Sequence, residues 1–147
     1  MRASDFFTEE EKKLLEQSIR EAELNTSGEI RIHVETFFNG EVLNRAATVF
    51  SRLGMHKTNL RNGVLFYLAI LNKQFAILGD AGINRVVSDT FWNDIKTIMD
   101  SHFKQGDFAG GLSKAVTLAG EQLKKHFPHQ LDDKNELPNE ISFEEIE

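Results

Sequence analysis

Residues 63–79 read GVLFYLAILNKQFAILG, and this stretch limits the fold more than any other. A strand sends alternate side chains to opposite faces, so a run that is apolar at both parities leaves no face for water. Asn72-Lys73 interrupts the run, and an asparagine there tolerates the positive φ of a tight hairpin. The pattern predicts two strands, about 63–71 and 74–79, in a sheet with helices on both sides. The run ends at Gly79-Asp80-Ala81-Gly82, with a carboxylate held between glycines. That pattern serves either to cap a turn or the next helix, or to offer a hard oxygen to a cation at a close backbone approach.

The rest of the chain contains the helices this sheet needs. Thr8-Glu9-Glu10-Glu11 has the form of a capping box, and Leu15, Ser18, Ile19 and Ala22 follow at helical spacing, which predicts a helix over about 8–25. Ile30, Ile32 and Val34 then alternate with Arg31, His33 and Glu35, the period of a strand with one wet face. On that pattern His33 faces solvent. Val42, Ala46, Val49, Phe50 and Leu53 form a one-sided stripe closed by Gly54, and residues 55–62 read as a loop. Phe91, Ile95, Ile98 and His102 line a further helix opened by Ser88-Asp89. After Gly106-Asp107, Phe108, Leu112, Ala115, Ala119 and Leu123 line the last one. The expected fold is therefore an α/β protein, a three-layer α/β/α sandwich around a small mixed β-sheet in the order α-β-α-β-β-α-α.

Charge divides the chain into two parts. The net charge of −6 is carried entirely by residues 129–147, where seven acids face Lys134 alone, so residues 1–128 are balanced with histidine neutral. The expectation is one α/β domain over 1–128 and an acidic, flexible C-terminal tail over 129–147. No basic field recruits nucleic acid or anionic lipid. No apolar run is long enough to span a bilayer, and the first eight residues hold no signal-like apolar core, so the chain reads as soluble and cytoplasmic without direct membrane insertion. Within the tail, Leu137, Ile141 and Phe143 are spaced as anchors that could seat in a partner's groove.

Functional chemistry is sparse. There are no cysteines, no His-x-x-x-His pair, no Gly-x-Ser-x-Gly elbow and no phosphate loop. In a hairpin the end of the second strand lies beside the start of the first, so Asp80 belongs near Arg61 and Asn62. Should the strand at 30–35 run parallel to the one at 74–79, Glu35 joins them. Asp107 opens the last helix as its N-cap or as a ligand. Asp80, Asp107, Asn62 and Glu35 thus form the expected set for a hard cation, calcium first and magnesium second. The alternative is a metal-assisted acid phosphatase, for which Arg61 or Arg85 would meet the phosphate.

Four segments, "TSGEIRIHVET", "RNGVLFYLAI", "KQFAILGDAGI" and "FKQGDFAGGLSKAV", together with their spacing, resemble the TPM domain family across residues 8–127. The resemblance implies a compact α/β sandwich and, in some members, calcium binding and phosphatase activity. It also implies an accessory role near membrane complexes, with a LemA-like membrane protein as the expected partner of bacterial members. The family's Asn before the second strand falls on Asn62, and its Gly-Asp before the last helix on Gly106-Asp107. Its glycine-rich turn falls on Gly79, Asp80 and Gly82, where many members carry an aromatic residue at the position of Asp80.

Overall fold

A computed structural model of the protein describes residues 2–129 and 137–144. Thr8 and Glu11 form the reciprocal capping box that starts α1 (Glu9–Glu23), whose buried stripe is Leu15, Ser18, Ile19 and Ala22. There follow β1 (Glu29–Glu35), α2 (Val42–Arg52), β2 (Gly63–Ala69) and β3 (Gln74–Gly79). The one-turn helix α3 (Ala81–Asn84), then α4 (Asp89–Lys104), α5 (Phe108–His126) and β4 (Ser142–Glu144) complete the order. Short 3-10 turns lie at Ala3–Asp5 and Met55–Lys57, the second inside the segment read as a loop.

The sheet has the order β3-β2-β1-β4, with β1 parallel to β2 and β4 and with β2 antiparallel to β3. The double parity of the long apolar run has the expected consequence. Val64, Phe66 and Leu68 face α1, α4 and α5 together with Ile30, Ile32 and Val34. Leu65, Tyr67 and Ala69 face the other way, onto Ala46, Val49 and Phe50 of α2 and onto Met55. Helices therefore cover both faces of a small mixed sheet.

Three local features differ from the pattern-based expectation. The strand β2 ends at Ala69, and in the turn that follows it is Lys73, not Asn72, that takes the left-handed conformation, with φ of 56°. Asn72 instead accepts from the Phe38 backbone N–H at 2.9 Å, tying the hairpin to the segment after β1. The supposedly wet face of β1 is buried: His33 is 4% exposed and Glu29 and Glu35 are 3% exposed each. Residues 137–144 of the expected tail supply the cover at Glu29 and His33, and Arg45 of α2 supplies it at Glu35. The strand β4 extends the sheet beside β1 in the register His33 to Ser142, Val34 to Phe143 and Glu35 to Glu144. Leu137 and Ile141 are buried, one on each face of the sheet. Residues 130–136 and 145–147 of that tail lie outside the described residues.

Candidate functional site

At the end of β3, Asp80 sits where the sequence places it. Its backbone N–H donates to the Gly63 carbonyl at 2.9 Å, so it flanks the start of β2. Its carboxylate accepts from Arg61 Nε at 2.6 Å and Nη2 at 2.7 Å, a bidentate pair, and from the Ala81 N–H at 2.8 Å as N-cap of α3. The pairing raises the Arg61 pKa above its ordinary value. Gly82 is required here: a Cβ would lie 2.0 Å from the Leu60 carbonyl oxygen and 2.6 Å from that of Arg61. The glycines flanking Asp80 thus let α3 start against the Leu60–Arg61 backbone, which is why so apolar a run ends on this motif. Asn62 is fully buried. Its Nδ2 donates to Ser27 Oγ at 3.3 Å, while its Oδ1 has no hydrogen-bond partner.

Glu35 and Asp107 lie elsewhere, the first because of strand direction and the second because the α4–α5 junction falls at the far end of the sheet. Because β1 is parallel to β2 and β2 antiparallel to β3, the C-terminal end of β1 lies at the opposite end of the sheet from Asp80. There Glu35 accepts from Arg45 Nε at 2.8 Å, Arg45 Nη2 at 2.5 Å and the Tyr67 hydroxyl at 2.5 Å. Burial and that carboxylate together push the Tyr67 pKa far up. Asp107 caps α5 through the Gly110 N–H at 3.0 Å and meets His102 Nδ1 at 2.9 Å, contacts that lower its pKa. Its neighbour Gly106 shares a cavity with Leu68, Ile70 and Lys73 at the β2–β3 turn, again remote from Asp80. The expected four-oxygen cage is therefore not assembled. Among the described residues no three His, Asp or Glu side chains are grouped to hold a metal ion. Of the two arginines proposed for phosphate, Arg61 is engaged by Asp80, and Arg85 is the exposed C-cap of α3.

One polar group was missed from the sequence because its strand face reads as wet. His33 Nδ1 lies 2.8 Å from Ser142 Oγ, its Nε2 lies 3.9 Å from Glu35, and its ring stacks on Tyr67 with centroids 6.1 Å apart. The residue types match a Ser-His-Glu triad, but the Glu35 carboxylate is already held by three donors and Ser142 lies within a strand. This network fastens β4 to β1. The tail anchors are likewise committed to the chain itself, with Leu137 donating its N–H to Glu29 Oε1 at 2.7 Å and Phe143 lying 5.5 Å from the Lys12 ammonium.

What the sheet leaves open is the outer edge of β3. Asp80 turns its N–H toward β2, and in an antiparallel ladder the direction alternates, so Leu78, Ala76 and Gln74 also bond inward. Gly79, Ile77 and Phe75 then point their main-chain groups outward. The Gly79 carbonyl agrees with this, accepting from Asn84 Nδ2 at 2.8 Å, while Asn84 Oδ1 accepts from Trp92 Nε1 at 3.0 Å. No strand pairs with this edge among the described residues. Beside it runs a groove of about 450 Å³ between Ile77, Leu78 and Gly79 on one wall and Asn84, Trp92 and Lys96 on the other.

Comparison with known proteins places this geometry in context. A family model described as the TPM domain matches residues 1–122. The NMR structure of BA42 protein from the psychrophilic bacterium Bizionia argentinensis is 48% identical, with a TM-score of 0.89 over 95% of this chain and 97% of that one. Two more distant NMR structures share the fold. The N-terminal domain of a protein from P. gingivalis is 17% identical, with a TM-score of 0.71 over 86% of this chain and 84% of that one. The N-terminal domain of cg2496 protein from Corynebacterium glutamicum is 14% identical, with a TM-score of 0.64 over 80% and 74%. A search of curated proteins returns no match. With a family match over residues 1–122 and a 48% identical structure aligned over 95% of its length, the chain belongs to the TPM domain family.

Proposed function

We propose that the protein is an accessory binding module that takes an extended segment of a partner protein onto the outer edge of β3. The observation that carries this reading is the outward-facing main chain of Phe75 and Ile77, the second of which lines the Trp92 groove. Strand addition draws affinity from main-chain hydrogen bonds and selectivity from alternate side chains seated in flanking grooves, and this edge offers both. The fold already accepts a short extended segment at its other edge, where β4 joins β1. The LemA-like membrane protein implied by the family resemblance is the first partner to test. No helix among the described residues is long and apolar enough to cross a membrane. Amide hydrogen exchange on the native chain with a soluble segment of that partner tests the idea. The expected outcome is protection of the Phe75 and Ile77 amides on binding, and loss of both binding and protection in Asn93→Trp, which fills the groove. A complex that forms with both amides still exchanging freely rules out strand addition.

Calcium binding is a second reading, and its support is the buried Asn62 Oδ1 without a partner, close in sequence and fold to the Asp80 carboxylate. An orphaned carbonyl oxygen favours a hard cation. The ligand set then reduces to Asp80 and Asn62, and Arg61, whose side chain is 49% exposed, would have to swing away. Calorimetry with Ca²⁺ and Mg²⁺ is expected to show Ca²⁺ binding that weakens in Asp80→Asn. Affinity unchanged in that variant removes Asp80 from any such site.

A further inference from the structure

At the opposite end of the sheet from Asp80, the β2–β3 turn and the junction of α4 with α5 enclose a cavity of about 570 Å³, within the range that small-molecule sites occupy. Its walls are aromatic. Phe75 and Phe103 meet edge to face with centroids 5.1 Å apart, and Phe103 and Phe108 lie 4.9 Å apart, all three only partly buried. Packed on one another, the three rings form a concave apolar surface that stays partly open to solvent.

The charged groups around the mouth are unequal. Lys104 is paired with Asp100 at 2.9 Å, and the nearby Asp107 is engaged by His102 Nδ1 and the Gly110 N–H. Lys73 lines the same cavity and makes no ion pair among the described residues. It is also one of three non-glycine residues at positive φ, a conformation that costs a lysine energy that a glycine or asparagine would not spend. The backbone strain sits on the residue that brings an uncompensated ammonium to an aromatic pocket.

We infer that this cavity binds an amphiphilic monoanion, a medium-chain carboxylate whose apolar body lies on Phe75, Phe103 and Phe108 and whose head group meets Lys73. The two sites share Phe75 alone, whose outward main chain belongs to the β3-edge reading and whose ring lines this cavity, so the inference does not rest on that reading. The test uses the full chain with sodium decanoate below its micelle concentration and decan-1-ol as the uncharged analogue, followed by amide chemical shifts and calorimetry. Decanoate is expected to bind at one saturable site, with shifts centred on Phe75, Phe103, Gly106 and Phe108, and more tightly than decanol. Lys73→Met is expected to weaken decanoate by about tenfold and to leave decanol unchanged, as loss of one charge-assisted contact does. Lys96→Met, in the other groove, is expected to leave both unchanged. Equal affinity for acid and alcohol, an effect of Lys96→Met equal to that of Lys73→Met, shifts centred on the Trp92 groove, or no saturable binding would each overturn the inference. Lys73 is exposed, so thermal unfolding of Lys73→Met should match that of the native chain and separate lost binding from lost fold.

Discussion

Glu23, the last residue of α1, shows how a single side chain can make the whole domain sensitive to pH. Its carboxylate accepts from the Ile30 N–H at 2.8 Å, satisfying an amide of β1 beyond the reach of the short β4. Burial, with a smaller contribution from the Glu29 charge, raises its pKa from 4.5 to about 8, against the lowering effect of the Ile30 bond. The folded chain therefore holds a proton that the unfolded chain releases between those two values, and unfolding free energy falls as pH rises through that window. Glu23→Gln keeps an acceptor for Ile30 and removes the ionisation. Denaturant unfolding is expected to give near-native stability at about pH 4.5 and a gain of about 1–3 kcal/mol at about pH 8.5. A stability difference that does not change with pH would show that Glu23 titrates normally. At this same scale the sequence was legible for Asp80 and Arg61, because a hairpin brings the residues before its first strand beside those after its second. It was not legible for Glu35 or Asp107. The distance of Glu35 from Asp80 follows from strand direction and that of Asp107 from where the α4–α5 junction packs, and alternation of apolar residues encodes neither.

Among the elements, α1 and α5 pack closely through their smallest residues. A Cβ on Gly120 would lie 2.6 Å from that of Ala22 and 2.9 Å from its Cα, so the two helices approach to a distance only glycine permits. Gly120→Ala gains about 1 kcal/mol of helix propensity and is expected to lose more through overpacking, for a net loss of about 1–2 kcal/mol. Thermal unfolding should show a lower midpoint, and Ala22→Gly in the same chain should recover part of the loss, since the two positions share one contact. The helices were readable because each carries a stripe at its own period and a cap such as Thr8, Ser88 or Asp107. The strand β4 was not. Three residues within NEISFEEIE give too short an alternation to outweigh the surrounding acids, and the expectation of a solvated tail followed from composition alone. His33 was misplaced for the same reason, since its cover is the strand that went unread.

For the whole molecule, residues 137–144 close the structure. They bury Leu137 and Ile141, pair with β1, and lie against the 3-10 turn at Ala3–Asp5, so segments far apart in sequence are held side by side. Placing a charge in that seal tests how much depends on it. Ile141→Asp is expected to cost about 2–4 kcal/mol, as an unpaired carboxylate replaces a buried aliphatic group. Amide exchange should rise along β1 before it rises in α5. A variant that unfolds without that order would mean that β4 and the core form one cooperative unit.

The same arrangement has a consequence during synthesis. His33 and its neighbour Ser142 are separated by 109 residues, so β1 emerges long before the strand that flanks it. At about 5–20 residues per second the wait is roughly 5–20 s, during which one side of β1, with its unpaired main chain, has no native strand to pair with. Whatever attends the nascent chain meets this edge first, and the charged row from Glu29 to Glu35 makes it a poor template for pairing with other emerging chains.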